Sequence, residues 1–217
     1  MLKYPIIIPL KKNSKRLPFK NRMLIGYTLE YLKQYKNADI YLLTDDNDMI
    51  SQYSGQYNII YDIEEGNDML YSINYAINII GCEYAHFLCV TNPFREDNLL
   101  VKMEDYLNNN NNNSPIITTK VEIPNRKIFL LDENDNFIYP SENGRKGKFV
   151  ERQFMIDGAA YLVQKEFINN ICKTKMPNKI FWENQNFKCV ENNVPFVDID
   201  TQKDINNFNF LIYGRKI

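Results

Sequence analysis

A basic segment near the start of the chain is the first part of this sequence that could bind a substrate. Five cations stand between Lys11 and Lys20, directly after a run of β-branched residues. Lysine side chains and backbone N–H groups in such a loop can together hold the phosphates of a nucleotide. The segment contains no glycine, so it is neither the Walker phosphate loop nor the dinucleotide-binding fingerprint. A solvated basic loop without a ligand is the alternative, and charge alone favours it.

A pair of aspartates late in the chain could bind a metal ion. Asp198 and Asp200 are two residues apart, and in a strand such residues point to the same side. Converging carboxylates suit Mg²⁺, which usually binds one or two carboxylates together with substrate phosphates. The alternative is structural, because Thr201 and Asp204 have the spacing of a capping box, which would make Asp200 an acid at a helix start.

Two shorter polar segments follow predicted strands. Asp45 lies in the segment 44–46, where a ligand role and the capping of the next helix are equally good interpretations. Arg95 lies at the end of the segment 91–95. It could orient an anionic substrate, or it could be a surface arginine that opens a helix.

Residue counts exclude several classes of protein. With one histidine, the chain cannot form a two-imidazole zinc site or the H-E-x-x-H motif, and we expect His86 to be a buried structural residue. The four cysteines have no C-x-x-C spacing, which favours a reduced, cytoplasmic protein with buried thiols. A net charge of −1 argues against a strongly basic nucleic-acid binder. No apolar run is long enough to span a membrane.

The elements that must position these residues alternate between strands and helices. We predict strands at 6–8, 40–43, 58–61, 87–90, 116–119, 159–163 and 196–199, and helices over 24–35, 69–80, 97–107 and after residue 201. Strands separated by helices indicate right-handed βαβ units and a largely parallel sheet. Sites in such sheets form beyond the carboxyl ends of the strands, which is where the four polar segments lie.

The stretch 121–154 differs from the rest. Predicted strands at 128–131 and 137–139 flank a segment with hairpin-turn chemistry, followed by a glycine- and lysine-rich segment. We therefore predict an insertion that stands off the sheet of a single domain spanning residues 1–217.

The four segments resemble, in this order, the cytidylyltransferases that activate sialic acids and related acidic sugars as CMP conjugates. The residues that carry the resemblance are the basic segment through Lys20-Asn21, Thr44-Asp45-Asp46, Thr91-Asn92-Pro93-Phe94-Arg95, Asp157-Gly158-Ala159-Ala160-Tyr161-Leu162 and Asp198-Ile199-Asp200-Thr201. The resemblance covers nearly the whole chain, and its first and last motifs are the distinctive ones.

This resemblance implies a three-layer α/β nucleotidyltransferase fold (GT-A/Rossmann-like), commonly dimeric, in which the insertion at about 121–154 faces the partner of a homodimer. It implies that CTP is the co-substrate, that Mg²⁺ is the metal and that the acceptor is a small acidic sugar. The catalytic residues would be Lys20, Lys11 and Asp200, with Mg²⁺ on Asp198 and Asp200. The nucleotide would be held by Lys11, Asn13, Ser14, Lys15, Lys20, Asn21 and Asp45. The acceptor would lie near Arg95, Asp157 and Tyr161.

The chain departs from the family pattern mainly at positions that recognise the acceptor sugar and the nucleotide base. Cys89 stands where the family usually has glutamine, Met155 where it often has arginine, and Lys11 where it usually has arginine. These departures concern the substrate more than the reaction class. Two other functions stay open: a nucleotide-sugar glycosyltransferase whose D-x-D motif is Asp198–Asp200, and a non-catalytic binding protein with the same fold.

Overall fold

The strands and helices below come from a computed structural model, which describes residues 2–12, 14, 16–63, 69–111, 114–123, 130–131, 137–138, 153–183 and 187–214. The strands are β1 (Ile6–Leu10), β2 (Ile40–Thr44), β3 (Asn58–Tyr61), β4 (Tyr84–Leu88), β5 (Ile116–Ile123), β6 (Leu130–Leu131), β7 (Phe137–Ile138), β8 (Gln153–Gln164) and β9 (Phe187–Glu191). The helices are α1 (Lys20–Leu32), α2 (Asn47–Tyr53), α3 (Met69–Ile80), α4 (Leu99–Asn109), α5 (Lys165–Cys172), α6 (Pro177–Trp182) and α7 (Gln202–Tyr213).

The main sheet of the described residues has seven strands in the order β3-β2-β1-β4-β8-β5-β9. β1 is parallel to β2 and β4, β2 is parallel to β3, and β5 is parallel to β9. β8 is antiparallel to both of its neighbours, β4 and β5, so it alone among these strands runs against the others. The predicted, mostly parallel α/β sheet is therefore confirmed.

Helices cover both faces of this sheet, which gives three layers. Side chains alternate between the faces along a strand, and in β1 Ile6 and Ile8 join one core while Ile7 joins the other. The first core is covered by α1, α4 and α7, and the second by α3, α5 and α6. All three isoleucines are fully buried, as expected for a strand covered on both faces.

The predicted strand at 196–199 is wrong. Pro195 has no N–H to donate to a ladder, and the segment that follows it joins none of the described strands. The Ile199 N–H donates to the Thr91 carbonyl at 2.9 Å, which holds the segment beside the end of β4. The last strand of the sheet is instead β9, at Phe187–Glu191, which the sequence analysis did not predict.

The predicted insertion shares both of its ends with the main sheet. β5 and β8 are longer than expected, and Val121 pairs with Met155 inside the sheet. Within 124–152 the structure describes only β6 and β7, which pair as an antiparallel ribbon. The predicted turn between them, 132–136, lies outside the described residues. The glycine- and lysine-rich segment lies outside the described residues.

No helix among the described residues is both long and apolar enough to cross a lipid bilayer. None of the four cysteines, all of which are among the described residues, forms a disulfide, and all four are partly buried.

Candidate active site

A cleft of about 750 Å³ opens at the carboxyl ends of β1 and β4. Its walls come from the basic loop (residues 11–19) and the start of α1, the segment after β4, the first half of β8, the end of α6, and the acidic segment (residues 198–200). This is the edge of an open α/β sheet at which ligands are expected to bind. The predicted position of the site is therefore the position of the cleft.

The basic loop and the acidic segment meet in this cleft. Lys20, the first residue of α1, donates from Nζ to Asp200 Oδ1 at 2.7 Å. Arg16 places Nη1 at 2.7 Å from Asp200 Oδ2. Lys20 and Asp200 are 180 positions apart in the sequence, and the structure brings them into direct contact in this cleft.

The acidic segment is not simply the start of a helix. Thr201 is the N-cap of α7, and its side chain and that of Asp204 form the capping box that the sequence predicted. Asp200 contributes only its backbone N–H, which donates to Asp204 Oδ2 at 3.1 Å. Its carboxylate lines the cleft instead.

The two aspartates form a donor set that fits a hard divalent cation. Partial desolvation in the cleft, and then the negative charge of Asp200, raise the pKa of Asp198, while Lys20 acts in the opposite direction. A cation beside both carboxylates would relieve this repulsion. No cluster of three or more His, Cys, Asp or Glu side chains suited to a metal exists among the described residues. Phosphate oxygens and water would therefore have to supply the other ligands, as is usual for Mg²⁺.

Hydrogen bonds to neighbouring segments hold the basic loop in place. Asn21 donates from Nδ2 to the Lys11 carbonyl at 2.7 Å, and Lys11 pairs through Nζ with Asp62 Oδ2 at 2.6 Å. Asp45 accepts the Lys12 N–H at 2.6 Å. Lys11 and Asn21 line the cleft, whereas Asp45 orders the loop and is not among the lining residues.

Three other predicted nucleotide-binding residues lie on the same loop. Ser14 is partly buried there. Asn13 and Lys15 lie outside the described residues. The neighbour of Asp45, Asp46, is the N-cap of α2, so the segment 44–46 combines loop ordering with helix capping.

Arg95 is neither a surface residue nor part of the cleft wall. It is 7% exposed, and its guanidinium donates to the carbonyls of Ala159 and Cys89 at 3.0 and 2.7 Å and to Thr28 Oγ1 at 3.3 Å. Burial lowers the pKa of Arg95 to about 10. Its donors join β8 to the end of β4, which supports the cleft from behind and does not place the guanidinium against a substrate.

Asp157 lies in an irregularity of β8 that bends the strand into the cleft. Thr118 pairs with Tyr161, but Lys120 pairs with Ile156, so β8 contains extra residues between these pairs. The Asp157 carboxylate is buried and accepts from the Ala159 N–H at 3.1 Å, from Asn192 Nδ2 at 2.6 Å and from the Thr119 hydroxyl. It lines the cleft while its oxygens are used to fix this irregularity.

Tyr161 is the centre of a group of aromatic rings at the same side of the cleft. Its ring stacks on Phe87 with centroids 4.4 Å apart and an interplanar angle of 12°. Trp182, from α6, lies edge-on at 6.3 Å and also lines the cleft. Burial raises the pKa of the Tyr161 hydroxyl well above its ordinary range and that of the Cys89 thiol to about 11, so neither group ionises at neutral pH.

His86 is buried in β4, outside the cleft, as predicted. Its Nε2 lies 3.0 Å from Glu104 Oε1, which also accepts the N–H groups of Lys3 and Tyr4 at 3.1 Å. The pair is structural.

The sequence analysis missed several lining or supporting residues. Asp62 follows β3, and the rule that sites form at strand ends would have found it. Trp182 and Phe196 had no local signal, because only the fold brings α6 and the acidic segment beside β8.

Solved structures with this fold include several nucleotidyltransferases. CMP:2-keto-3-deoxy-manno-octonic acid synthetase, complexed with CTP, has a TM-score of 0.72 and 15% identity over 99% of this chain and 100% of that chain. A cytidylyltransferase from Leptospira borgpetersenii serovar Hardjo-bovis has a TM-score of 0.67 and 17% identity, covering 98% of this chain and 87% of its own. 4-Diphosphocytidyl-2C-methyl-D-erythritol synthase from Anaerococcus prevotii has a TM-score of 0.66 and 16% identity, covering 96% of this chain and 98% of its own.

These similarities establish the fold, which is the predicted α/β fold of nucleotidyltransferases. No protein-family model and no curated protein sequence matches the chain. Because one fold can hold many activities, the function has to be argued from the cleft.

Proposed function

We propose that this protein is a CTP-dependent cytidylyltransferase, which transfers CMP from CTP to a hydroxyl group of an acidic, sugar-like acceptor and releases pyrophosphate. One observation supports this most strongly: Lys20 and Arg16 of the amino-terminal part meet Asp200 at 2.7 Å in a cleft at the carboxyl edge of the sheet. Cations for phosphates and carboxylates for a metal therefore share one site. Solved structures of similar fold include a synthetase complexed with CTP.

The cations of the cleft would neutralise the triphosphate. In phosphoryl transfer the charge develops on the non-bridging oxygens and the leaving group, so catalysis depends on positioning and electrostatic stabilisation. Lys20 is well placed for this role, because its side chain is only 13% exposed and already lies beside a carboxylate. Lys11 would contribute from the end of β1, where Asp62 holds its side chain.

Asp198 and Asp200 would hold Mg²⁺ together with phosphate oxygens. When bound, this ion would polarise the reacting phosphate and make its phosphorus more electrophilic. The chain's own part is to present two carboxylates from one anchored segment, since Ile199 between them is fully buried and α7 is capped directly after them.

The acceptor would lie on the β8 side of the cleft, near Asp157 and Tyr161. Arg95 would act as a positioning residue, because it binds the carbonyl of Ala159 in the same strand. The acidic character of the acceptor and a homodimer are proposed from the resemblance to the enzymes that activate sialic acids. The dimer is tested by the mass of the protein in solution.

A pyrophosphate-release screen tests the proposal. CTP, UTP, ATP and GTP are each incubated with Mg²⁺ and a panel of acidic sugars, and pyrophosphate and the nucleotide product are identified. We expect pyrophosphate and a CMP conjugate with CTP only. Release of a nucleoside diphosphate from a sugar nucleotide would instead favour the glycosyltransferase, and no calorimetric heat with millimolar CTP and Mg²⁺ would favour the non-catalytic protein.

A further inference from the structure

The cleft has two chemically different sides. Its cations among the described residues are Lys11, Arg16 and Lys20, and all three belong to the basic loop and the start of α1. The β8 side is lined by larger side chains with apolar surface. Ile156, Trp182 and, from the start of α3, Met69 are partly open to solvent, whereas Tyr161 is buried.

Trp182 is the most unusual member of this side. It is the single tryptophan of the chain, it is 52% exposed, and it lines the cleft. Large aromatic side chains normally bury most of their surface, and an exposed one in a concave site is a common binding feature. An exposed indole in the cleft thus offers surface that a ligand can cover.

The indole is held in position by other rings. Trp182 packs edge-on against Phe181 at 5.3 Å, and Phe181 is buried. Both rings contact Tyr161, which itself stacks on Phe87 from the centre of the sheet. Such an arrangement fixes the indole before any ligand arrives, which reduces the entropy lost on binding.

Two polar side chains on this side, those of Asn92 and Asp157, already make hydrogen bonds within the protein. Asn92 donates from Nδ2 to the carbonyls of Asp157 and Val197 at 2.6 and 3.3 Å. The Asp157 carboxylate accepts three hydrogen bonds, from Thr119, Ala159 and Asn192. A ligand here would therefore meet apolar and aromatic surface more than open hydrogen-bonding groups.

We infer that Trp182 is the specificity-determining residue for the acceptor, and that the acceptor is a cyclic sugar whose apolar C–H face packs on the indole. This inference rests on the proposed function, which places the nucleotide phosphates at the basic loop and leaves the β8 side to the acceptor. A pyranose ring has a face of axial C–H groups, and covering that face and the indole releases water from both. An open-chain acid has no such face and would lose this contact.

The fluorescence of the single tryptophan tests the inference directly. The full chain is titrated, in the presence of CMP and Mg²⁺ so that no turnover occurs, with 2-keto-3-deoxy-manno-octonic acid and other ring-forming sugar acids. The matched control is the same acid reduced at its keto group, which keeps the carboxylate and hydroxyls but cannot close the ring. We expect the emission of Trp182 to shift with the ring sugars and not with the reduced acid.

Kinetics of three variants complete the experiment. With a sugar that is turned over, Trp182→Ala should raise KM for the sugar about tenfold, equivalent to about 1.4 kcal/mol, with KM for CTP changed less than twofold. Trp182→Phe should retain most of the affinity. Ile180→Ala, on the same helix but outside the cleft lining, is the control for general disturbance of α6.

Three outcomes would overturn the inference. The first is an unchanged emission with every ring sugar, and the second is an unchanged sugar KM in Trp182→Ala. The third is a shift of the Trp182 emission by CTP alone, which would indicate that the cytosine base, and not the sugar, packs on the indole. In each case the CTP-dependent release of pyrophosphate is measured separately, so a failure of the proposed function is seen as loss of that release in the unmutated chain.

Discussion

Replacement of Asp200 by asparagine gives the clearest separation between catalysis and folding in this site. The Asp200 carboxylate lies 2.7 Å from Lys20 Nζ and 2.7 Å from Arg16 Nη1. It is one of the two carboxylates proposed to hold Mg²⁺. The amide keeps the shape and one acceptor oxygen but removes the negative charge. We therefore expect Asp200→Asn to fold and to lose activity.

The expected losses of stability and of catalytic rate can be estimated from the geometry. The Arg16 side chain is 66% exposed, so its ion pair contributes at most about 1 kcal/mol to stability. The pair with Lys20 is less exposed but also lies at an open cleft, so we expect Tm to fall by only a few degrees. Removal of one preorganised electrostatic contact in a transition state costs about 10²–10³ in rate.

The assay is pyrophosphate release from CTP with the accepted sugar, measured over a range of Mg²⁺ concentrations, with thermal unfolding as the folding check. Asp48→Asn is the matched control, because Asp48 also pairs with an arginine, Arg22, but lies on α2 outside the cleft lining. Asp48→Asn should keep full activity. A folded Asp200→Asn protein with near-normal turnover and an unchanged Mg²⁺ requirement would refute the metal assignment.

Three further predictions concern the framework of the site. Asp157→Ala removes an acceptor shared by three donors, on Thr119, Ala159 and Asn192, so it should lower the free energy of unfolding by about 3 kcal/mol in urea titrations. Burial alone would raise the pKa of Glu104. Hydrogen bonds from His86 and two backbone N–H groups lower this pKa by more, so the net shift is downward. The ionised Glu104 therefore contributes to the free energy of unfolding above the ordinary glutamate pKa, and this contribution is lost as the pH falls through the lowered pKa. Glu104→Gln should destabilise the protein at neutral pH and make its stability fall less steeply towards acid pH. Phe19 has φ 59°, a left-handed conformation that costs a residue with a side chain about 1–2 kcal/mol. Phe19→Gly should therefore raise the free energy of unfolding by up to about 1 kcal/mol, after allowance for the greater flexibility of glycine in the unfolded chain, and calorimetry that finds a lower Tm would contradict this.

Local patterns in the sequence were sufficient for several elements of the fold, although they did not predict α2. The helical period from Met69 to Ile80 and the strand at Asn58–Tyr61 coincide with α3 and β3. The capping box of Thr201 and Asp204 also has its predicted form. Each of these signals depends on residues within about one turn of each other, which is why it can be read without the fold.

Features that depend on distant residues could not be predicted in the same way. A strand was expected at 196–199 from its apolar residues, but Pro195 has no N–H to donate to a ladder, and the segment belongs to none of the described strands. Arg95 was expected to face a substrate, whereas three acceptors from separate parts of the chain bury it. Trp182 reaches the cleft only because α6 packs beside Tyr161.

The placement of β8 has a consequence for how the molecule is made. β1 to β4 form one parallel half of the sheet from the first 88 residues, but the strand that follows β4 in space begins at residue 153. Asp198 and Asp200 come later still. During synthesis a ribosome would release the basic loop long before these two aspartates, and such distant pairings form slowly. The nascent chain would therefore carry the first four strands for many seconds before β8 and the acidic segment were available to complete the cleft.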